Sequence, residues 1–188
     1  GVAIALIVGV ASVKGWEAYD LNRKTEDSKL LASALKAMER DKPENAINFL
    51  NKLIKDGTAG YEVLARLNYA GILAKRGNLK AASSAYLSIS EDNNIENSLK
   101  DMALILSALH NTDKKNSSVL NERLYLLIDG KNAWRHSAKE LAALLAQEAG
   151  DKLKAQKLYK ELSDDATAPS GIRTRATEMV VILGRLGP

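Results

Sequence analysis

The chain has 188 residues, 46% of them apolar and only 5% aromatic, enough hydrophobic material for one domain with a packed core. That material is mostly Ala, Leu and Ile, and with only three prolines it favours helix throughout. The net charge of +4 is spread along the chain in both signs, with no Lys/Arg stripe interleaved with aromatics, which excludes a nucleic-acid surface; the lack of cysteine excludes disulfides and thiolate metal sites.

Gly1 to Val13, GVAIALIVGVASV, carries no charge and is apolar all round rather than along one face. At 1.5 Å per residue it reaches about 20 Å, short of the roughly 30 Å of a hydrocarbon core. Residues 1–15 are therefore expected to be the C-terminal part of a transmembrane helix that starts upstream. Lys14, Trp16 and Tyr19 supply the snorkelling cation and amphipathic rings of a membrane–water boundary.

Residues 16–188 read as the folded domain. Glu17 to Asp41 is amphipathic, with Leu21, Leu30, Leu31, Ala34, Leu35 and Met38 at helical spacing. Lys42-Pro43 stops it, and Glu44 to Lys55 begins the next helix with Ala46, Ile47, Phe49, Leu50, Leu53 and Ile54. After a loop at Asp56 to Gly60, helices are predicted over Tyr61–Arg76, Leu79–Ile89 and Ile95–Leu109. His110 to Ser117 has no apolar period and is expected to be an exposed loop before a helix at Val119–Ile128. Trp134–Ala149 and Lys152–Leu162 follow, joined by Gly150-Asp151. A last helix, Ile172–Leu186, turns Ile172, Ala176, Met179, Val180 and Leu183 inwards and caps the array.

Two of these stretches are copies. Tyr61–Ser90 lies over Trp134–Ser163 at an offset of about 73 residues. The copies agree at Tyr61 and Trp134, Ala70 and Ala143, Gly77 and Gly150, Ala82 and Ala155, Tyr86 and Tyr159, and Ser90 and Ser163. Ala46 and Leu50 fall on Ala82 and Tyr86 at about half that offset, which adds a first, divergent unit. The fold class is all-α: about four helix hairpins and a capping helix in a solenoid.

Gly77, Ala82 and Tyr86, and again Gly150, Ala155 and Tyr159, resemble the tetratricopeptide repeat. Asp41 stands where that pattern has glycine, and the third unit lacks the Ala-to-aromatic pair. Along the whole chain, Gly15-Trp16, then Tyr61, Leu64, Ala65, Leu67 and Ala70, then Trp134, Gly150-Asp151 and Ala155 are similar to the YfgM-like family of membrane-anchored TPR-like proteins. That resemblance implies a single pass through a bacterial inner membrane with the repeat domain in the periplasm. It also implies an ancillary role at the Sec translocon, with translocon subunits and a periplasmic foldase related to PpiD as partners.

The residues themselves offer no chemistry. His110 and His136 have no carboxylate or second histidine at metal-ligand spacing and read as ordinary solvated side chains; Asp164-Asp165 and Glu91-Asp92 read as solvated turns. No catalytic residue, metal site or cofactor is expected. The concave face of such a solenoid is lined by the first helix of each hairpin, which points to Leu64, Leu67, Gly71 and Ala74, and to Glu140, Leu144 and Gln147. These lack the Lys, Asn and Arg of a carboxylate clamp, so an apolar helix or extended segment is the expected ligand. The leading expectation is a noncatalytic, membrane-tethered protein-binding scaffold. The alternative is a self-assembling structural repeat protein of the cell envelope, a homo-oligomer paired through the helix Glu17–Asp41.

Overall fold

The computed structural model describes residues 2–112 and 114–185, and their side chains outside 2–17 and 114–116. Among the described residues there are nine helices and no strand. They are α1 (Val2–Glu39), α2 (Pro43–Asp56), α3 (Ala59–Lys75), α4 (Leu79–Ser90), α5 (Asn97–Leu109), α6 (Lys114–Ile128), α7 (Arg135–Glu148), α8 (Lys152–Asp164) and α9 (Ser170–Arg185). The chain divides into two compact units, 1–72 and 73–188, at a point inside α3.

The helices fall where the apolar periodicity puts them, with two differences. The expected exposed loop from His110 to Ser117 is shortened by helix, because α6 already begins at Lys114. A missing apolar stripe does not forbid a helical turn. At the other end, α1 is one continuous helix through Gly15, where the sequence suggests a membrane part followed by a separate amphipathic helix. Among the described residues no helix is long and apolar enough to cross a membrane. The side chains of Gly1–Val13, Lys14 and Trp16, to which the sequence assigns the membrane end, lie outside the described residues, while Tyr19 is exposed.

Each unit has its own core. In the first, Ala34 and Ala37 of α1 meet Ala46, Leu50 and Leu53 of α2, with Ala65 and Ile72 of α3. In the second, α7 carries two apolar faces. Ala138, Leu141 and Leu145 pack on Leu104, Ile105, Leu120, Leu124 and Leu127 of α5 and α6. Ala142, Ala143 and Ala146 pack on Ala155, Leu158, Tyr159 and Leu162 of α8 and on Ile172, Ala176 and Leu183 of α9. Alanine on the second face lets backbones approach closely, and leucines fill the wider gap on the first. Burying each such leucine contributes about 1.5–3 kcal/mol. α5 also packs closely on α4, where Ser83 and Ser107, both buried, each donate to the other's carbonyl at 2.9 Å.

The repeat is visible in the backbone of three turns. Asp41, Gly77 and Gly150 have φ of 54°, 77° and 84°, the left-handed region. The following amide reaches back to the helix in each case: Lys42 to Ala37 at 2.8 Å, Asn78 to Leu73 at 3.0 Å, Asp151 to Ala146 at 2.9 Å. The left-handed residue itself bonds to Met38, Ala74 and Gln147 at 3.1, 2.9 and 3.0 Å. This pair of bonds is the Schellman motif, which satisfies carbonyls that a helix end leaves open. Asp41 thus does the work of the glycines, since aspartate tolerates this region better than most residues with a side chain. The residues behind the turns also correspond: Ala46, Ala82 and Ala155 are fully buried, as are Leu50, Tyr86 and Tyr159 to within a few per cent. In the third hairpin, Leu120 and Leu124 of α6 form the equivalent buried pair.

A second periodic feature is polar. Asp27 of α1, itself buried, accepts from the backbone N–H and the hydroxyl of Thr58 at 2.7 and 2.8 Å, just before α3. Asp101 of α5 accepts from Asn132 at 2.8 Å, and Asn132 accepts from the N–H of Trp134 at 2.8 Å, just before α7. His136 of α7 meets Thr167 at 3.3 Å and Asp165 at 3.1 Å, just before α9. Each clasp joins the first helix of one hairpin to the connection leading into a later first helix, and each spans 31 residues.

Candidate functional site

An apolar recess among first helices lies in the second unit. It is a groove of about 480 Å³ lined by Leu109 of α5, Glu140, Leu141 and Leu144 of α7, Tyr159 of α8, and Arg175, Glu178, Met179 and Ile182 of α9. Leu109, Leu144 and Ile182 remain 55%, 36% and 48% exposed, so these large apolar side chains lack a covering among the described residues. They stay exposed because α5, α7 and α9 each spend their inward stripe on the two cores described above.

One ion pair crosses the groove. Arg175 donates through Nε and Nη2 to the two carboxylate oxygens of Glu140 at 2.7 and 2.9 Å. This two-pronged contact ties α9 to α7 and raises the Arg175 pKa, first through the hydrogen bond and then through the Glu140 charge. Below it, burial pushes the Tyr159 phenol up, and the charges of Glu140 and Glu148 push it further. Among the described residues Arg175 is the one cation lining the groove, and its guanidinium is already engaged by Glu140.

The residues expected to line a concave face separate. Glu140 and Leu144 lie in the groove. Gln147, one turn on, is half-buried, and its Oε1 has no hydrogen-bond partner among the described residues. Leu64, Leu67 and Gly71 belong to the first unit and Ala74 to the second. Leu64 is exposed, Gly71 and Ala74 are half-buried, and Leu67 is only 9% exposed, which makes it interior rather than surface. The sequence reasoning missed Leu109, Arg175 and Ile182. Met179, expected to face inwards, does pack against the α7–α9 core and also lines the groove.

The histidine at 136 is not the solvated side chain that the sequence suggests. It is buried. Thr167 donates its hydroxyl proton to Asp165 at 2.6 Å, so Nε2 of His136 faces two acceptors and must carry a proton itself. The Thr167 hydroxyl and N–H hold the Asp165 carboxyl well below its usual range, at about 2, with a smaller contribution from His136. The arrangement ties α7 to the connection before α9. Among the described residues no cluster of three His, Asp or Glu could hold a metal.

Stacked helix hairpins with glycine-type turns, small-residue helix contacts and an uncovered apolar groove define a helical-repeat scaffold. Residues 1–179 match the family of the tetratricopeptide repeat-like domain, and the chain belongs to it. Domains of this kind are in general non-catalytic and mediate protein–protein interaction. Neither a curated protein nor a solved structure gives a significant match to the chain.

Proposed function

We propose that the chain is a noncatalytic, membrane-tethered scaffold that holds partner proteins at the periplasmic side of the Sec translocon, beside a foldase related to PpiD. The observation that carries the protein-binding part is the groove of Leu109, Leu144, Met179 and Ile182, apolar and uncovered, in a domain of an interaction family. Its chemistry suits the apolar face of a helix or an extended segment. The tether rests on the uncharged stretch Gly1–Val13 with Lys14, Trp16 and Tyr19 behind it. The place at the translocon rests on the YfgM-like pattern. Anchoring in a membrane raises the local concentration of partners, so a modest groove suffices.

The test is a photo-crosslinking amino acid placed at Leu144, in the groove, and at Leu126, exposed on α6 away from it. In intact membranes the probe at Leu144 should crosslink to translocon or foldase subunits, and the probe at Leu126 should not. Crosslinks that are absent at both positions, or equal at both, would sink the groove assignment. Extraction of the chain by carbonate without detergent would sink the tether.

A further inference from the structure

A solenoid end is expected to present a polar outer face, and α9 does not. Thr174, Thr177, Glu178, Val181 and Ile182 line a shallow depression of about 530 Å³ along its outer side. Val181 and Ile182 are 47% and 48% exposed. The spacing i, i+3, i+4, i+7, i+8 makes this one continuous stripe, and Arg185 extends it by one further turn. Glu178 and Arg185 therefore bracket the two apolar side chains on a single face.

These two charges are open. Seven residues apart on one helix, they are separated by about 10.5 Å along the axis, too far to pair with each other. Arg185 makes no ion pair among the described residues, and Glu178 feels Arg175 only through space, because that guanidinium is held by Glu140.

We propose that α9 is a homodimerisation helix, two copies of which pair antiparallel about a two-fold axis between Val181 and Ile182. In this register Val181 of each copy lies on Ile182 of the other, and Glu178 of each copy meets Arg185 of the other. The face is thus complementary to itself, as a two-fold interface requires. A parallel pair would set Glu178 on Glu178 and Arg185 on Arg185, and is disfavoured by like-charge repulsion. One helix pair is smaller than the roughly 1,200 Å² of stable complexes, so the dissociation constant is expected on the order of 10–100 μM. The pairing uses α9, whereas the Glu17–Asp41 segment exposes Tyr19, Leu21 and Leu35. Because Glu178 and Ile182 also border the groove, pairing and groove occupancy compete for them.

Sedimentation equilibrium of the full chain in detergent, from low to several hundred micromolar, tests the proposal without any partner present. The wild-type mass should rise with concentration. Glu178→Arg and Arg185→Glu should each weaken self-association by about tenfold or more. The two combined in one chain should restore it to within about threefold of wild type, because the swapped charges meet again across the axis. Circular-dichroism melting verifies that each variant is folded. A concentration-independent monomer overturns the proposal, as does a dimer that the single reversals leave unchanged or that the double reversal does not rescue. A photo-crosslinker at Val181 that captures a different protein in membranes, and no second copy, overturns it equally.

Discussion

The first and the last hairpin make the same turn with different residues. Between α1 and α2 the left-handed position is Asp41, and the next residues are Lys42 and Pro43, with no side-chain cap on α2. Between α7 and α8 it is Gly150, followed by Asp151, whose carboxylate caps α8 by accepting from Lys154 N–H at 3.0 Å. Backbone hydrogen bonds are nearly identical in the two. The turn geometry is thus imposed by how the helices pack, and the residues only modulate its cost.

The strongest check on that equivalence removes the buried anchors behind the turns. Leu50→Ala in α2 should cost about 2–5 kcal/mol and Tyr159→Ala in α8 about 3–5 kcal/mol, read from denaturant unfolding. A much smaller loss at either would show that the two positions are not equivalent. Next come the turn residues. No atom lies within 4 Å of a Cβ built on Gly150, so Gly150→Ala meets only the backbone penalty, about 1–2 kcal/mol. Asp151→Ala should cost about 1 kcal/mol of helix capping, while Lys42→Asp should gain about 0.5 kcal/mol.

The smallest expected effect is acid dependence. The Asp165 carboxyl is held at about 2, below its ordinary 3.8, so the folded state favours the charged form. Its contribution is present above about pH 4 and is lost as the pH falls towards 2. Unfolding measured across that window should be less acid-sensitive in Asp165→Asn; an unchanged profile would remove Asp165 from the account.

Much of this was readable from periodicity, because helices bury one stripe and the Gly77–Ala82–Tyr86 and Gly150–Ala155–Tyr159 spacings repeat. The left-handed turn at Asp41 was legible only by position, since its residue type argues weakly for it. Site residues were harder. Leu67 and Leu144 look alike in sequence, yet one is interior and the other open, and only the packing of neighbouring helices decides this. Leu109 sits at the last turn of α5, where the stripe no longer identifies a side. The clasps were invisible because Asp27–Thr58, Asp101–Asn132 and His136–Thr167 share a spacing but no two use the same pair of residue types.

That shared spacing of 31 residues has a consequence for how the chain tolerates change. One residue inserted into an intervening helix turns everything beyond it by about 100° and advances it by about 1.5 Å. Such an insertion would swing Thr58, Asn132 or Thr167 out of reach of the partner waiting on the earlier helix. The clasps act as a ruler: they admit substitutions freely at most surface positions, but hold the length of each hairpin to a whole residue count.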